Sequence, residues 1–162
     1  MPRRQVTDRS RGVMEVDWPL FGEMSRALAL KVARGYDPQL VVGIATAGVV
    51  PGAVVAAILD KPFHSIIVSR RYQAEEVRQT PTVFGSVPAD VRNRRVLLVD
   101  ETCDTGSTLR LAVAAIVNAG AADVRTAVGF RTGSYQPDFA GMETESRIVL
   151  PWDHEVNLGG PG

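Results

Sequence analysis

The chain is short of several things, and each shortage excludes something. Among 162 residues there is one cysteine, Cys103, so no disulfide can form within the chain and a reducing compartment is the natural expectation. There is no net charge, because 18 basic residues cancel 18 acidic ones. That balance gives no support for a broad nucleic-acid surface. Lysine is nearly absent, with only Lys31 and Lys61, an imbalance that carries no mechanism by itself. No apolar run approaches the roughly 18 residues of a membrane span, so no membrane contact is expected. The polar, basic start MPRRQVTDRSRG lacks the apolar stretch of a secretory signal. It reads as a flexible tail over residues 1–12 ahead of one domain at 13–162, and a cytoplasmic location is expected.

What remains is ordinary globular material, 45% apolar and 22% charged, enough for one core. Asp17 and Pro19 mark a helix start, and Leu20, Met24, Ala27, Leu28 and Val32 follow at helical spacing up to Gly35. Short apolar runs at residues 40–45, 64–69, 96–99 and 124–130 read as strands, with a further short one at 148–150. Residues 51–59 and 105–119 read as helices. Residues 72–95 read as a long polar loop with some local structure, of the kind that forms lids, residues 131–146 as irregular chain, and the end NLGGPG as frayed. Strands that are apolar on both faces and alternate with helices predict a parallel sheet covered by helices. Ligands of such sheets bind beyond the carboxyl ends of the strands, so the chemistry belongs just after Ala45, Ser69, Val99 and Phe130.

One segment concentrates that chemistry: residues 96–108, VLLVDETCDTGST. An apolar strand runs into Asp100 and Glu101, two adjacent carboxylates that need cations or hydroxyls to face them. Asp104, Thr105, Gly106, Ser107 and Thr108 then open a helix. A small residue, three hydroxyls and a helix start suit a phosphate. An anion cradle beside three carboxylates fits a ligand with a phosphate at one end and a polyol or a metal at the other, as a phosphorylated sugar has. Singly, such hydroxyls are caps and such acids are solvated; their order is what carries weight.

The segment resembles the phosphoribosyl-diphosphate motif of type I phosphoribosyltransferases. The resemblance implies that family's fold, a single-domain twisted parallel sheet of about five strands flanked by helices, with a small hood drawn mainly from residues 131–156. It implies that Asp100 and Glu101 hold the ribose hydroxyls, that Asp104 to Thr108 wrap the 5′-phosphate, and that Asp104 acts near N7 of a purine. The stretch 41–59, VVGIATAGVVPGAVVAAIL, resembles the family's strand, diphosphate loop and helix, the loop being Ala45, Thr46, Ala47 and Gly48. Purine enzymes often carry a cation where Thr46 stands; ATAG is more like the orotate form. The Gly43 to Gly48 spacing is not a P-loop, because Val49 and Val50 replace the required Lys and Ser or Thr. Arg70, Arg71 and Tyr72 resemble the base of a mobile catalytic loop, with Tyr72 a catalytic candidate and the two arginines on the diphosphate.

Farther along, YQPDFAGME at 135–143 and RIVLPWDHEV at 147–156 resemble hypoxanthine-guanine and xanthine-guanine members. By that resemblance Arg131 donates to the C6 oxygen of the base, Arg147 replaces a stacking aromatic, and Ile148 packs on the ring. Trp152 is a further base-pocket candidate that equally suits a core. Magnesium is the implied cofactor, with Asp153 near the magnesium-diphosphate and Asp100 and Glu101 acting on the metal indirectly. The implied substrates are phosphoribosyl diphosphate and a nucleobase, and the implied assembly is a homodimer or homotetramer. A 6-oxopurine acceptor is expected. Orotate or another pyrimidine, and a non-catalytic regulator on the same fold, are the alternatives.

Overall fold

The computed structural model describes residues 12–69 and 82–153, and the fold is given for those residues. Eight strands and three helices follow in the order β1 (Val13–Glu15), α1 (Trp18–Gly35), β2 (Leu40–Ala45), α2 (Val49–Leu59), β3 (Phe63–Ser69), β4 (Thr82–Phe84), β5 (Arg95–Cys103), α3 (Ser107–Asn118), β6 (Asp123–Arg131), β7 (Phe139–Glu143) and β8 (Arg147–Val149), with one 3-10 turn at Ala89–Val91. Asp17 caps α1 as its sequence predicts: its carboxylate accepts from the Leu20 N–H at 2.9 Å, a contact worth about 1 kcal/mol.

The main sheet has the order β4-β3-β2-β5-β6-β7. Its five strands from β3 to β7 are parallel to their neighbours, as expected, and β4 joins antiparallel at one edge. Alternation along the strands divides the core in two. Val41, Leu97, Val99 and Ala127 pack with α1 and α2 residues such as Leu28, Val32 and Val55. Leu40, Val42, Val96, Leu98 and Val128 pack with Leu109, Ala112 and Ile116 of α3. The chain leaves β2 towards β3 on one side and resumes at β5 on the other. That reversal opens a crevice between the carboxyl ends of β2 and β5, where ligands of such sheets bind.

Two expectations need correction. Residues 131–146 are not all irregular, since β7 lies within them as the outer parallel strand. FAGME has no apolar run to announce it. Its Gly141 lies against the Met24 side chain, and Lys31 donates to the carbonyls of Ala140 and Gly141 at 2.7 and 3.3 Å. The local structure expected within the loop at 72–95 is present as β4 and the 3-10 turn. The strand expected to end at Val99 continues to Cys103, carrying the acid pair within it. Separately, β1 pairs parallel with β8 in a two-stranded sheet, Met14 opposite Ile148, which ties the chain just before α1 to the hood. No helix among the described residues is long and apolar enough to cross a membrane.

Candidate active site

At the end of β5, four fully buried residues, Val96 to Val99, deliver Asp100 and Glu101 to the crevice. Successive strand residues point to opposite faces, and the two acids meet different neighbours. Asp100 helps line a small cavity of about 130 Å³, together with residues 102–109. Its Oδ1 accepts from the Glu101 backbone N–H at 2.8 Å. Glu101 lies among hood residues: the Trp152 indole hydrogen-bonds to it and the Asp153 charge reaches it. Its Oε2 is buried without a hydrogen-bond partner among the described residues. Burial pushes the Asp100 carboxyl up to about 6. Burial, then the charge of Asp100, pushes Glu101 up to about 7. Buried carboxylates at a strand end store a demand for hydrogen-bond donors, which ligand hydroxyls can meet.

The small cavity lies at the residues where the sequence leads one to expect an anion cradle. Gly106 is the N-cap of α3, with no side chain to cap the helix. Thr105 Oγ1 lies 3.3 Å from Ser107 Oγ and accepts from the Ser107 N–H at 3.4 Å, which folds the hydroxyls into one turn. Gly106 has φ +80°, and a Cβ there would collide with the ring of Tyr135, so both backbone and space require glycine. Cys103 is 5% exposed, and burial pushes its thiol up. A thiol held protonated is a poor nucleophile, in keeping with an incidental place beside the cradle.

Across the crevice, residues 45–48 turn from β2 into α2, with a cis peptide between Ala45 and Thr46. A Cβ on Gly48 would lie 2.5 Å from the Ile44 carbonyl and 2.9 Å from that of Val99, and 3.1 Å from the Asp100 Cα. Glycine therefore lets the β2 loop press against the strand that carries the acids. Gly48 is thereby brought beside Asp100.

The third wall comes from the end of β6. The Thr132 N–H donates to the Cys103 carbonyl at 2.9 Å and the Tyr135 N–H to the Asp104 carbonyl at 3.3 Å. The Arg110 guanidinium stacks 5.0 Å from the Tyr135 ring. Arg131 Nε donates to the Tyr135 carbonyl at 2.8 Å, and Arg131 Nη1 lies 3.3 Å from Glu143 Oε1. This wall borders a larger cavity of about 720 Å³, lined by residues 131–134 and 143–145, a volume in the range of small-molecule sites.

The remaining candidates are placed as follows. Trp152 packs edge-on to Phe21, ring centroids 5.2 Å apart, and tilted to Trp18 at 5.9 Å. Asp153 Oδ2 accepts from the Leu150 N–H at 2.9 Å, holding the tight turn in which the Asp153 N–H returns to the Leu150 carbonyl. Ile148 packs on the core beneath β8, while Arg147 is exposed on the same strand. Among the described residues no three His, Cys, Asp or Glu converge on one metal position. Arg70, Arg71 and Tyr72 lie outside the described residues, as does His154, which the sequence gives no role. Sequence reasoning passed over Gly133, Tyr135 and Glu143 as site residues. The last two sit in YQPDFAGME, a segment that flagged kinship and not chemistry.

The model of the phosphoribosyl transferase domain family matches residues 16–157. A xanthine-guanine phosphoribosyltransferase from Nitratidesulfovibrio vulgaris is 29% identical over 93% of this chain and 91% of its own. An orotate phosphoribosyltransferase from Saccharolobus solfataricus is 32% identical over 57% of this chain and 43% of its own. Among solved structures, a purine phosphoribosyltransferase from Pyrococcus horikoshii superposes with a TM-score of 0.78 at 27% identity, over 91% of this chain and 99% of that one. The chain belongs to the phosphoribosyl transferase domain family.

Proposed function

We propose that the protein transfers the 5-phosphoribosyl group from phosphoribosyl diphosphate to N9 of a 6-oxopurine, giving a nucleoside 5′-monophosphate and pyrophosphate, as purine salvage requires. One observation carries the reading. The acid pair, the cradle and the residue 45–48 loop meet at the switch point of the sheet, and the β6 end adds Arg131 beside them. Residues 105–108 hold the 5′-phosphate. Asp100 and Glu101 accept from the ribose hydroxyls, and the backbone of Thr46 to Gly48 receives the diphosphate. The bond from C1′ to the diphosphate oxygen breaks, with positive charge building on the ribose ring, and the bond from C1′ to N9 forms. Asp104, exposed at the mouth of the cradle, handles the proton at N7. Arg131 donates to the C6 oxygen, which favours an oxopurine over adenine.

Magnesium is part of the reading, neutralising charge on the departing diphosphate when bound. The oxygen donors Asp100, Glu101 and Asp153 suit a hard cation, and the lone buried Glu101 oxygen is one point of attachment. With no three-residue cluster among the described residues, most ligands must come from the substrate and water, as magnesium commonly arranges. A homodimer or homotetramer in the cytoplasm completes the proposal.

The cation-free loop at Thr46 and the partial likeness to an orotate enzyme favour orotate as the second reading. A panel of guanine, hypoxanthine, xanthine, adenine and orotate, each with phosphoribosyl diphosphate and magnesium, separates the two by nucleotide formed. Product from the 6-oxopurines is expected. Product from orotate alone contradicts the purine reading, and binding of phosphoribosyl diphosphate without product from any base points to a regulator.

A further inference from the structure

Register brings Arg131 and Glu143 together. They are direct partners in the parallel β6–β7 ladder, so both leave the carboxyl edge of the sheet on one face. Their known contacts use Arg131 Nε and Nη1 and one carboxylate oxygen of Glu143. Nη2 and Oε2 take part in neither. Both side chains line the 720 Å³ cavity. In the same wall, Gly133 packs directly on Asp104, where a Cβ would run into the Asp104 carboxylate and its backbone. The cavity is lined by the Arg131 guanidinium and the Glu143 carboxylate, a donor and an acceptor, and Gly133 sets the Asp104 carboxylate, a second acceptor, directly behind that lining.

We infer that Glu143 is the specificity-determining residue, selecting a 2-amino-6-oxopurine by accepting from its N1–H and 2-amino group while Arg131 donates to the C6 oxygen. The inference rests on the purine reading above and deepens it. Along one edge guanine protonated at N7 offers N7–H, the C6 oxygen, N1–H and the 2-amino group, which would meet Asp104, Arg131 and Glu143 in that order. Hypoxanthine keeps N1–H and loses the amino donor. Xanthine turns a carbonyl toward a carboxylate, two acceptors facing each other with no proton between them. Guanine is thus preferred, then hypoxanthine, then xanthine.

The test is Glu143→Gln, which keeps size and can still accept from Arg131 while offering an N–H to a C2 carbonyl. Glu143 is 63% exposed, so the fold tolerates the change. kcat/KM is measured for the three bases at saturating phosphoribosyl diphosphate. The guanine-to-xanthine ratio is expected to fall by about tenfold or more, through KM for the base, while KM for phosphoribosyl diphosphate moves by less than about twofold. A merely structural role would move all bases and both substrates together. Glu23→Gln, exposed on α1 and outside this cavity, is expected to leave the ratio unchanged. A ratio unchanged in Glu143→Gln overturns the inference and leaves the purine reading intact. A wild-type protein that uses orotate and no purine overturns the purine reading itself, so the two failures are distinguishable.

Discussion

The carboxyl ends of β5 and β6 are neighbours in one sheet, yet they are built in opposite ways. The β5 end is continuous in sequence: acids, phosphate turn and helix start follow one another from Asp100 to Thr108, and glycine at 106 sets the turn. The β6 end is assembled from a distance. Arg131 is held by the Tyr135 carbonyl and by Glu143 of the next strand, and Tyr135 covers Gly106. The difference teaches that the groups proposed to hold ribose and phosphate lie in a contiguous segment. The part proposed to choose the base depends on sheet register and loop packing.

The largest expected effect breaks the join between the two ends. Gly106→Val puts a β-branched residue at φ +80° and drives its Cβ into the Tyr135 ring. A cost on the order of 3 kcal/mol in stability is expected, with loss of phosphoribosyl-diphosphate binding, read by thermal unfolding and calorimetry. A variant that folds and binds as the wild type does would show that the two ends are not mechanically joined. Next in size, Asp104→Asn removes the proton handler and leaves the cradle. Turnover should fall by about 10²- to 10⁴-fold with binding of phosphoribosyl diphosphate retained, and full turnover would remove Asp104 from the chemistry. The smallest effect is at the β6 end. Arg131→Lys keeps the charge but loses the fork that holds the Tyr135 carbonyl and Glu143 at once. KM for the base should rise by about tenfold, on the order of one lost hydrogen bond to a charged group, with KM for phosphoribosyl diphosphate steady. A rise in the latter alone would assign Arg131 to the diphosphate.

The same contrast explains what the sequence made legible. Apolar runs located β2, β5 and β6 because most of each is buried on both faces, so those strands stand out without alternation, and β3 stood out by its run of Ile66, Ile67 and Val68 although Ile67 is exposed. Asp17 marked its helix because a cap is a local interaction. The cradle was legible because its parts are adjacent. β7 was not, since FAGME owes its place to Met24 packing against Gly141 and to Lys31 holding its carbonyls. The β1–β8 pair was hidden because three-residue strands from the two ends of the domain carry no signal until they meet. Trp152 fitted both core and ligand, and its indole both packs on Phe21 and reaches Glu101. Glu143 was unreadable as a site residue because only the ladder puts it opposite Arg131.

The acid pair gives the most direct test of the central claim, that the β5 end is a ribose 5-phosphate cradle. Asp100 and Glu101 are held up at about 6 and about 7 by burial, above their unfolded values. Their folded form thus binds more protons than the unfolded chain. The stability this adds is complete below about pH 4 and is lost as pH rises through 6 to 7. Ribose hydroxyls that donate to these groups favour the charged forms, so binding must release protons. The measurement is calorimetry of phosphoribosyl diphosphate with magnesium near pH 6.5, in two buffers of different ionisation enthalpy, on wild type and Glu101→Gln. The account predicts that wild type binds and releases more protons than the variant, the comparison cancelling protons lost by the ligand itself. Equal release from both proteins, or no binding by wild type, would contradict it.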